Sequence, residues 1–157
     1  MMALKPERHI HQTTMAFTMN QAVEPGVVVV GSGASDGVAT IAGGTSVGQS
    51  GVYPLGVVLN TRESFNYAKE YERFTYDTDD LGTVVSILQE GTVVTDQIVD
   101  SSVTPGAIAY LGQNGKVSAV NPAPASTTGQ LDQSWRVGRF MTGKDSNGFA
   151  TLFVQIQ

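Results

Sequence analysis

Ser46 is the residue whose surroundings most resemble a catalytic motif. It lies within Gly44–Gly48, which matches the Gly-x-Ser-x-Gly pattern of a nucleophile elbow. That motif works only where a strand leads into a helix and places the serine beside a histidine. Here another glycine follows at Gly51, and both histidines, His9 and His11, lie near the N-terminus. The pattern therefore predicts turns between strands. The alternative, a small hydrolase built around Ser46, would require hydrolysis of general esters that Ser46→Ala abolishes.

A second glycine-rich stretch imitates a nucleotide-binding fingerprint. Val27–Val30 runs into Gly31-Ser-Gly33, but the third glycine, Gly37, comes one place late. Binding of a dinucleotide phosphate also needs a helix N-terminus directed at the ligand. Val38–Gly44 is a poor helix start. A glycine turn between strands is the better interpretation, so no nucleotide cofactor is predicted.

Two sets of metal-ligand types are present, and both are incomplete. His9 and His11 would share one side of a strand, but the chain has no cysteine and no third histidine to complete a site. Asp77–Gly82 begins like a calcium loop, yet Leu81 and Leu88 occupy positions five and twelve, where oxygen ligands belong. The sequence thus predicts no catalytic, metal or cofactor site.

Composition excludes further classes of function. The chain of 157 residues has nine basic and fourteen acidic residues and a net charge of −5, whereas a general nucleic-acid binder needs a basic face. The formal charge of the first 22 residues is +1, and that of the remaining residues is −6. No apolar run approaches the ~18 residues of a membrane span. We expect a soluble, non-enzymatic protein that binds neither nucleic acid nor membranes.

Most of the chain consists of short β-branched runs separated by turn formers, which predicts an all-β fold. Asn114–Gly115 and Asn147–Gly148 each predict a tight hairpin with a type I′ turn. In the last run Ala150, Leu152, Val154 and Ile156 share one face, as in an antiparallel sheet with one buried side. The predicted strands are Gly26–Val30, Leu55–Leu59, Thr83–Leu88, Thr92–Thr95, Ala107–Leu111, Lys116–Val120, Arg136–Met141 and Phe149–Ile156.

We expect one compact antiparallel β-barrel or β-sandwich over residues 23–157, preceded by an extended N-terminal arm over residues 1–22. Within the arm, Met15, Phe17 and Met19 alternate with smaller residues, which is typical of a strand, and no nearby turn offers this strand a local partner. Two interpretations stay open. The arm pairs with a distant strand or another molecule, or it is a frayed terminus.

Ser64–Tyr76 is the segment with the most aromatic and charged residues. Phe65, Ala68 and Tyr71 lie at helical spacing, and Ser64 can cap a helix start. A strand or ordered loop fits the pattern nearly as well, so we expect either one short helix or an ordered crossover. Two roles for this segment fit the sequence equally well: it contacts a partner, or it closes the end of a barrel.

The order of the motifs resembles the decoration, or cement, proteins of tailed bacteriophages, across nearly the whole chain. The segments that carry the resemblance are Met2–Arg8, Pro25–Val30, Leu55–Asn60, Val84–Leu88, Glu90–Thr95, Pro105–Gly112, Asn114–Lys116, Val137–Met141 and Asp145–Gly148.

This resemblance implies a structural virion protein on the outer surface of an expanded capsid, assembled in the host cytoplasm. Its partner would be the major capsid protein, whose subunit contacts it would stabilise. Self-association is also implied, with a trimer favoured over a dimer or monomer. The family offers no catalytic motif to transfer. We assign the capsid contacts to the arm and the aromatic crossover, through Lys5, Arg8, His9, His11, Met15, Phe17, Met19, Phe65, Tyr67 and Tyr71.

A carbohydrate-binding or adhesion module on a virion or cell surface is the main alternative. Such a module stacks sugar rings on exposed aromatic side chains. Tyr53, Tyr110 and Trp135 are the candidates for that platform.

Overall fold

The computed structural model describes residues 4–6, 13–21, 23–31, 37–43, 47–49, 51–61, 84–122 and 134–156. These ranges contain ten strands and one 3-10 turn, Gln113–Gly115, so the predicted all-β class is confirmed. The strands are β1 (Leu4–Pro6), β2 (Thr13–Met19), β3 (Val28–Gly31), β4 (Val38–Thr40), β5 (Pro54–Thr61), β6 (Val84–Thr95), β7 (Ile108–Leu111), β8 (Val117–Ser118), β9 (Arg136–Phe140) and β10 (Ala150–Gln155).

Strand β6, twelve residues long, organises the molecule. Leu88 pairs with both Thr14 of β2 and Val57 of β5, so these two strands lie on opposite edges of β6. Glu90 pairs with both Thr13 of β2 and Gln155 of β10. It follows that β5 and β10 lie end to end along one edge, while β2 and β1 lie along the other.

Five strands form a closed circuit in the order β2, β4, β3, β5, β6 and back to β2. The circuit closes because β2 pairs with β6 and also with β4, through Thr18 and Met19. The pairing of β2 with β4 is parallel, so the sheet is mixed where the sequence predicted an antiparallel one. A parallel pair needs a long crossover, and here β3 lies within that crossover.

The other half of β6 begins a second arrangement, in the order β6, β10, β9, β7, β8. A bridge between Val117 and Ile98 brings β8 back to the residues that follow β6. The predicted Asn114–Gly115 turn is confirmed, since both residues have positive φ and the Lys116 N–H donates to the Gln113 carbonyl at 3.1 Å. A Cβ on Gly115 would lie 2.9 Å from the Val28 carbonyl oxygen, so the hairpin tip rests on β3.

The valine run of β3 is buried on both faces. Val29 belongs to a cluster inside the closed circuit, the ring core, which comprises Met19, Val23, Val27, Val29, Ala39, Val58 and Ile87. Val28 and Val30 face the main core, which is built largely from β6, β7, β9 and β10. Each buried valine contributes roughly 1.5–3 kcal/mol. A continuous apolar run is therefore required here, whereas β10 alternates as predicted between buried and half-buried residues.

Two local predictions are corrected by the structure. The runs Thr83–Leu88 and Thr92–Thr95 belong to a single strand, because Gly91 adopts a φ of 146° and lets the chain continue. The β9–β10 hairpin exists, but Asn147–Gly148 does not form a tight type I′ turn. Asp145 Oδ1 instead accepts hydrogen bonds from the N–H groups of Asn147 and Phe149, which shapes a longer loop.

The predicted helix or crossover at Ser64–Tyr76 lies outside the described residues. Ser46 and the acidic segment Asp77–Gly82 lie outside them as well.

Candidate functional site

The N-terminal strands hold the arm residues against β6. Lys5 pairs with Val94, and Met15 pairs with Ile87, at the backbone level. Met19 is 1% exposed within the ring core, and Phe17 packs half-buried against the same cluster. The side chains of Phe17 and Met19 thus stabilise the fold, and the backbone of residues 13–19 belongs to the sheet of the body.

The remaining predicted contact residues do not lie in the part of the chain that the structure describes. They are Arg8, His9 and His11 in the arm and Phe65, Tyr67 and Tyr71 in the crossover.

An apolar groove lies beside the β7–β8 hairpin, and we call it the hairpin groove. Its volume is about 410 Å³. Val99 and Val120 border it and are 47% and 67% exposed, so the groove presents apolar side chains at the surface. The lining comprises Val47, Val99, Asp100, Leu111, Gly112, Gln113, Ser118, Val120 and Pro122.

The groove has a fixed floor and one anchored wall. A Cβ on Gly112 would lie 2.9 Å from Val99 Cγ2, so the valine packs directly on the hairpin backbone. The Asp100 carboxylate accepts hydrogen bonds from the Ala119 N–H at 2.7 Å and the Ser118 hydroxyl at 3.3 Å. Lys144 Nζ donates to the Asp100 carbonyl at 2.9 Å. These bonds hold the wall of the groove in one conformation, which would lower the entropic cost of any contact made there.

Sequence reasoning missed the hairpin groove. The only signal was that each of the two valines, Val99 and Val120, is followed by a polar residue; Val120 ends the predicted strand Lys116–Val120, whereas Val99 lies outside every predicted strand. A single apolar residue beside a polar one is common, so that signal becomes informative only when the fold brings the two valines together.

The three aromatic residues of the carbohydrate hypothesis do not form an exposed platform. Tyr110 is 8% exposed and Trp135 is 5% exposed, whereas Tyr53 is 42% exposed. Tyr53 packs on Trp135 with ring centroids 5.9 Å apart and planes inclined by 47°. The indole N–H of Trp135 has no acceptor in the described structure. Of these three residues, Tyr53 alone has a ring that is available to stack on a sugar.

Among the described residues, no group of three or more histidine, aspartate or glutamate side chains could hold a metal ion. Those same ranges contain no helix with the length and apolarity needed to cross a membrane.

No protein-family model and no curated protein matches the sequence. The fold does resemble a solved structure, the crystal structure of the head fiber gp8.5 N base in bacteriophage phi29. The likeness covers 92% of this chain and 95% of that one, with a TM-score of 0.51 and 13% sequence identity. At this identity the comparison concerns the fold, and it shows that the two chains share their architecture almost from end to end.

Proposed function

We propose that the protein is a structural, non-catalytic virion protein that binds the outer surface of an expanded bacteriophage capsid and stabilises contacts between major capsid protein subunits. The observation that carries the proposal is the fold shared with the N base of a phage head fiber over nearly the whole of both chains. The order of motifs in the sequence, which resembles phage decoration proteins, supports it independently.

The hairpin groove is the part of the described surface best suited to this contact. It combines exposed apolar side chains, Val99 and Val120, with a floor fixed by Gly112 and the bonds to Asp100. Many copies that each bury a modest apolar patch stabilise a shell through multivalency, without a large interface in any one copy. The charged end of the arm, with Lys5, Arg8, His9 and His11, is the second proposed contact.

The alternative of a carbohydrate-binding module receives less support. Stacking on sugars requires accessible ring faces. Tyr110 and Trp135 are buried, so the described surface offers Tyr53 alone from the proposed platform.

Co-sedimentation with expanded capsids that lack this protein tests the proposed function. We expect saturable binding at a fixed ratio to the major capsid protein. Absence of binding to matched capsids, together with binding to a glycan array, would replace the proposal with the carbohydrate module.

A substitution in the groove tests the contact itself. Val120→Ser removes an exposed apolar side chain, and we expect capsid affinity to fall by about fivefold to tenfold. Met141→Ser is the matched control, because Met141 is 53% exposed but does not line the groove. If both variants bind like the wild type, the hairpin groove is not the capsid contact.

A further inference from the structure

Among the described residues, no strand pairs with the outer edge of β2 before Thr18. In the described part of the chain, β2 meets β4 only through Thr18 and Met19, and β1 pairs only with β6. The other described strands have a neighbour on each side for at least part of their length. An unpaired edge presents N–H and C=O groups that a further strand can bind.

The two edge strands differ in how they are protected against pairing. β1 contains Lys5 and Pro6, and both lysine and proline discourage edge-to-edge association. β2 has the sequence Thr-Thr-Met-Ala-Phe-Thr-Met, with neither a charge nor a proline. An uncharged, unprotected edge strand is the kind that pairs with another chain.

The charge pattern favours a second copy of the same chain as the partner. The whole protein carries a net charge of −5, which opposes association between two copies. Residues 12–23 contain no charged side chain, and they interrupt that repulsion at β2. Two copies that pair through the same edge do so about a two-fold axis.

The hydrogen-bond pattern fixes which residues would make the contact. The Thr18 N–H donates to the Gly37 carbonyl at 2.9 Å, so it points away from β6 and toward β4. Because strand residues alternate, the N–H and C=O groups of Thr14 and Ala16 lie on the same outer side. Those of Met15 and Phe17 face β6.

We propose that two copies of the protein pair antiparallel through the outer edge of β2, about a two-fold axis at Met15. Thr14 of each copy then lies opposite Ala16 of the other, and each of these pairs exchanges N–H and C=O hydrogen bonds. Met15 faces Met15 as a non-hydrogen-bonded pair. This contact produces a dimer, whereas the family resemblance favours a trimer, and it does not depend on capsid binding.

Disulfide trapping tests this register directly, because the natural chain contains no cysteine. Residues in a non-hydrogen-bonded antiparallel pair have Cα atoms about 4.5 Å apart, within the range that a disulfide spans. We expect Met15→Cys to form a covalent dimer under mild oxidation. Ser102→Cys is the control for random collision, since Ser102 is exposed and lies outside β2. Equal cross-linking of the two variants overturns the proposal.

A proline adds a second test of the hydrogen bonds. In the Met15→Cys background, Ala16→Pro removes an N–H group on the outer edge and leaves the β2–β6 bonds in place. We expect the cross-linked fraction at limiting concentration to fall about tenfold, because half of the bonds across the axis are lost. Unchanged cross-linking of the folded double variant contradicts the register. If that variant does not fold, the two cysteine variants alone decide the question, and capsid co-sedimentation is scored separately.

Discussion

At Gly138 the backbone of β9 approaches β10 so closely that no side chain fits. A Cβ there would overlap the Phe153 carbonyl oxygen and lie 3.0 Å from Val154 Cα. Gly138→Ala should therefore lower the free energy of unfolding by about 3 kcal/mol or more, through overpacking against backbone. Chemical denaturation followed by Trp135 fluorescence measures the change, since Trp135 is buried and is the only tryptophan.

Gly31→Ala is the matched control for this substitution. The nearest atom to its Cβ would be Leu55 Cδ1 at 3.9 Å, which is an ordinary contact. We expect a change in stability below about 1 kcal/mol at this position. Equal destabilisation of the two variants would mean that β9 and β10 do not meet as described.

Individual residues were predictable where their effect is local. Asn114 and Gly115 specify their own turn, so the sequence alone predicted the β7–β8 hairpin. Asn147–Gly148 has the same residue types, but the Asp145 carboxylate captures the loop backbone and changes the turn. Competition between a dipeptide preference and a nearby side chain depends on geometry, which the sequence does not contain.

At the scale of elements, the N-terminal strands have different roles in the fold. β2 closes the five-strand circuit and carries Met19 into the ring core, whereas the pairing of β1 within the described residues is limited to Val93, Val94 and Thr95. A chain starting at Thr13 should thus fold with a stability near that of the full protein. A chain starting at Gln21 should lose several kcal/mol, because it lacks both the β2 pairing and Met19.

Thermal unfolding of the two truncated chains by circular dichroism tests this difference. The chain that starts at Thr13 also lacks Lys5, Arg8, His9 and His11, so its capsid binding tests the charged part of the arm without disturbing the circuit. Equal melting temperatures of the two truncated chains would contradict the placement of β2 in the circuit. Undiminished capsid binding would exclude those four residues as contacts.

The positions of the strands could be predicted from the β-branched runs, but which strands pair with one another could not. The run Val27–Val30 predicted a strand, and only the fold explains why four valines occur in succession, with Val29 in one core and Val28 and Val30 in the other. β2 pairs with β6 and β4, which lie far from it along the chain. Such pairings depend on how the whole chain closes, so the sequence left the partner of the arm open.

For the whole molecule, the all-β class was predictable from composition and turns, whereas the hairpin groove was not. The hairpin groove exists because the fold brings Val99 and Val120 together beside Gly112 and Pro122. The arm and crossover residues were chosen by residue type. Of these, the structure places Met19 in the core and Phe17 against it.

The disruption temperature of an expanded capsid tests most directly whether this protein has the proposed stabilising role. Capsids lacking the protein would be heated alone and with saturating protein, with release of the packaged or encapsulated contents as the readout. We predict a higher disruption temperature with the wild-type protein and a smaller increase with Val120→Ser at the same concentration. An unchanged disruption temperature at demonstrated saturation would contradict the stabilising role.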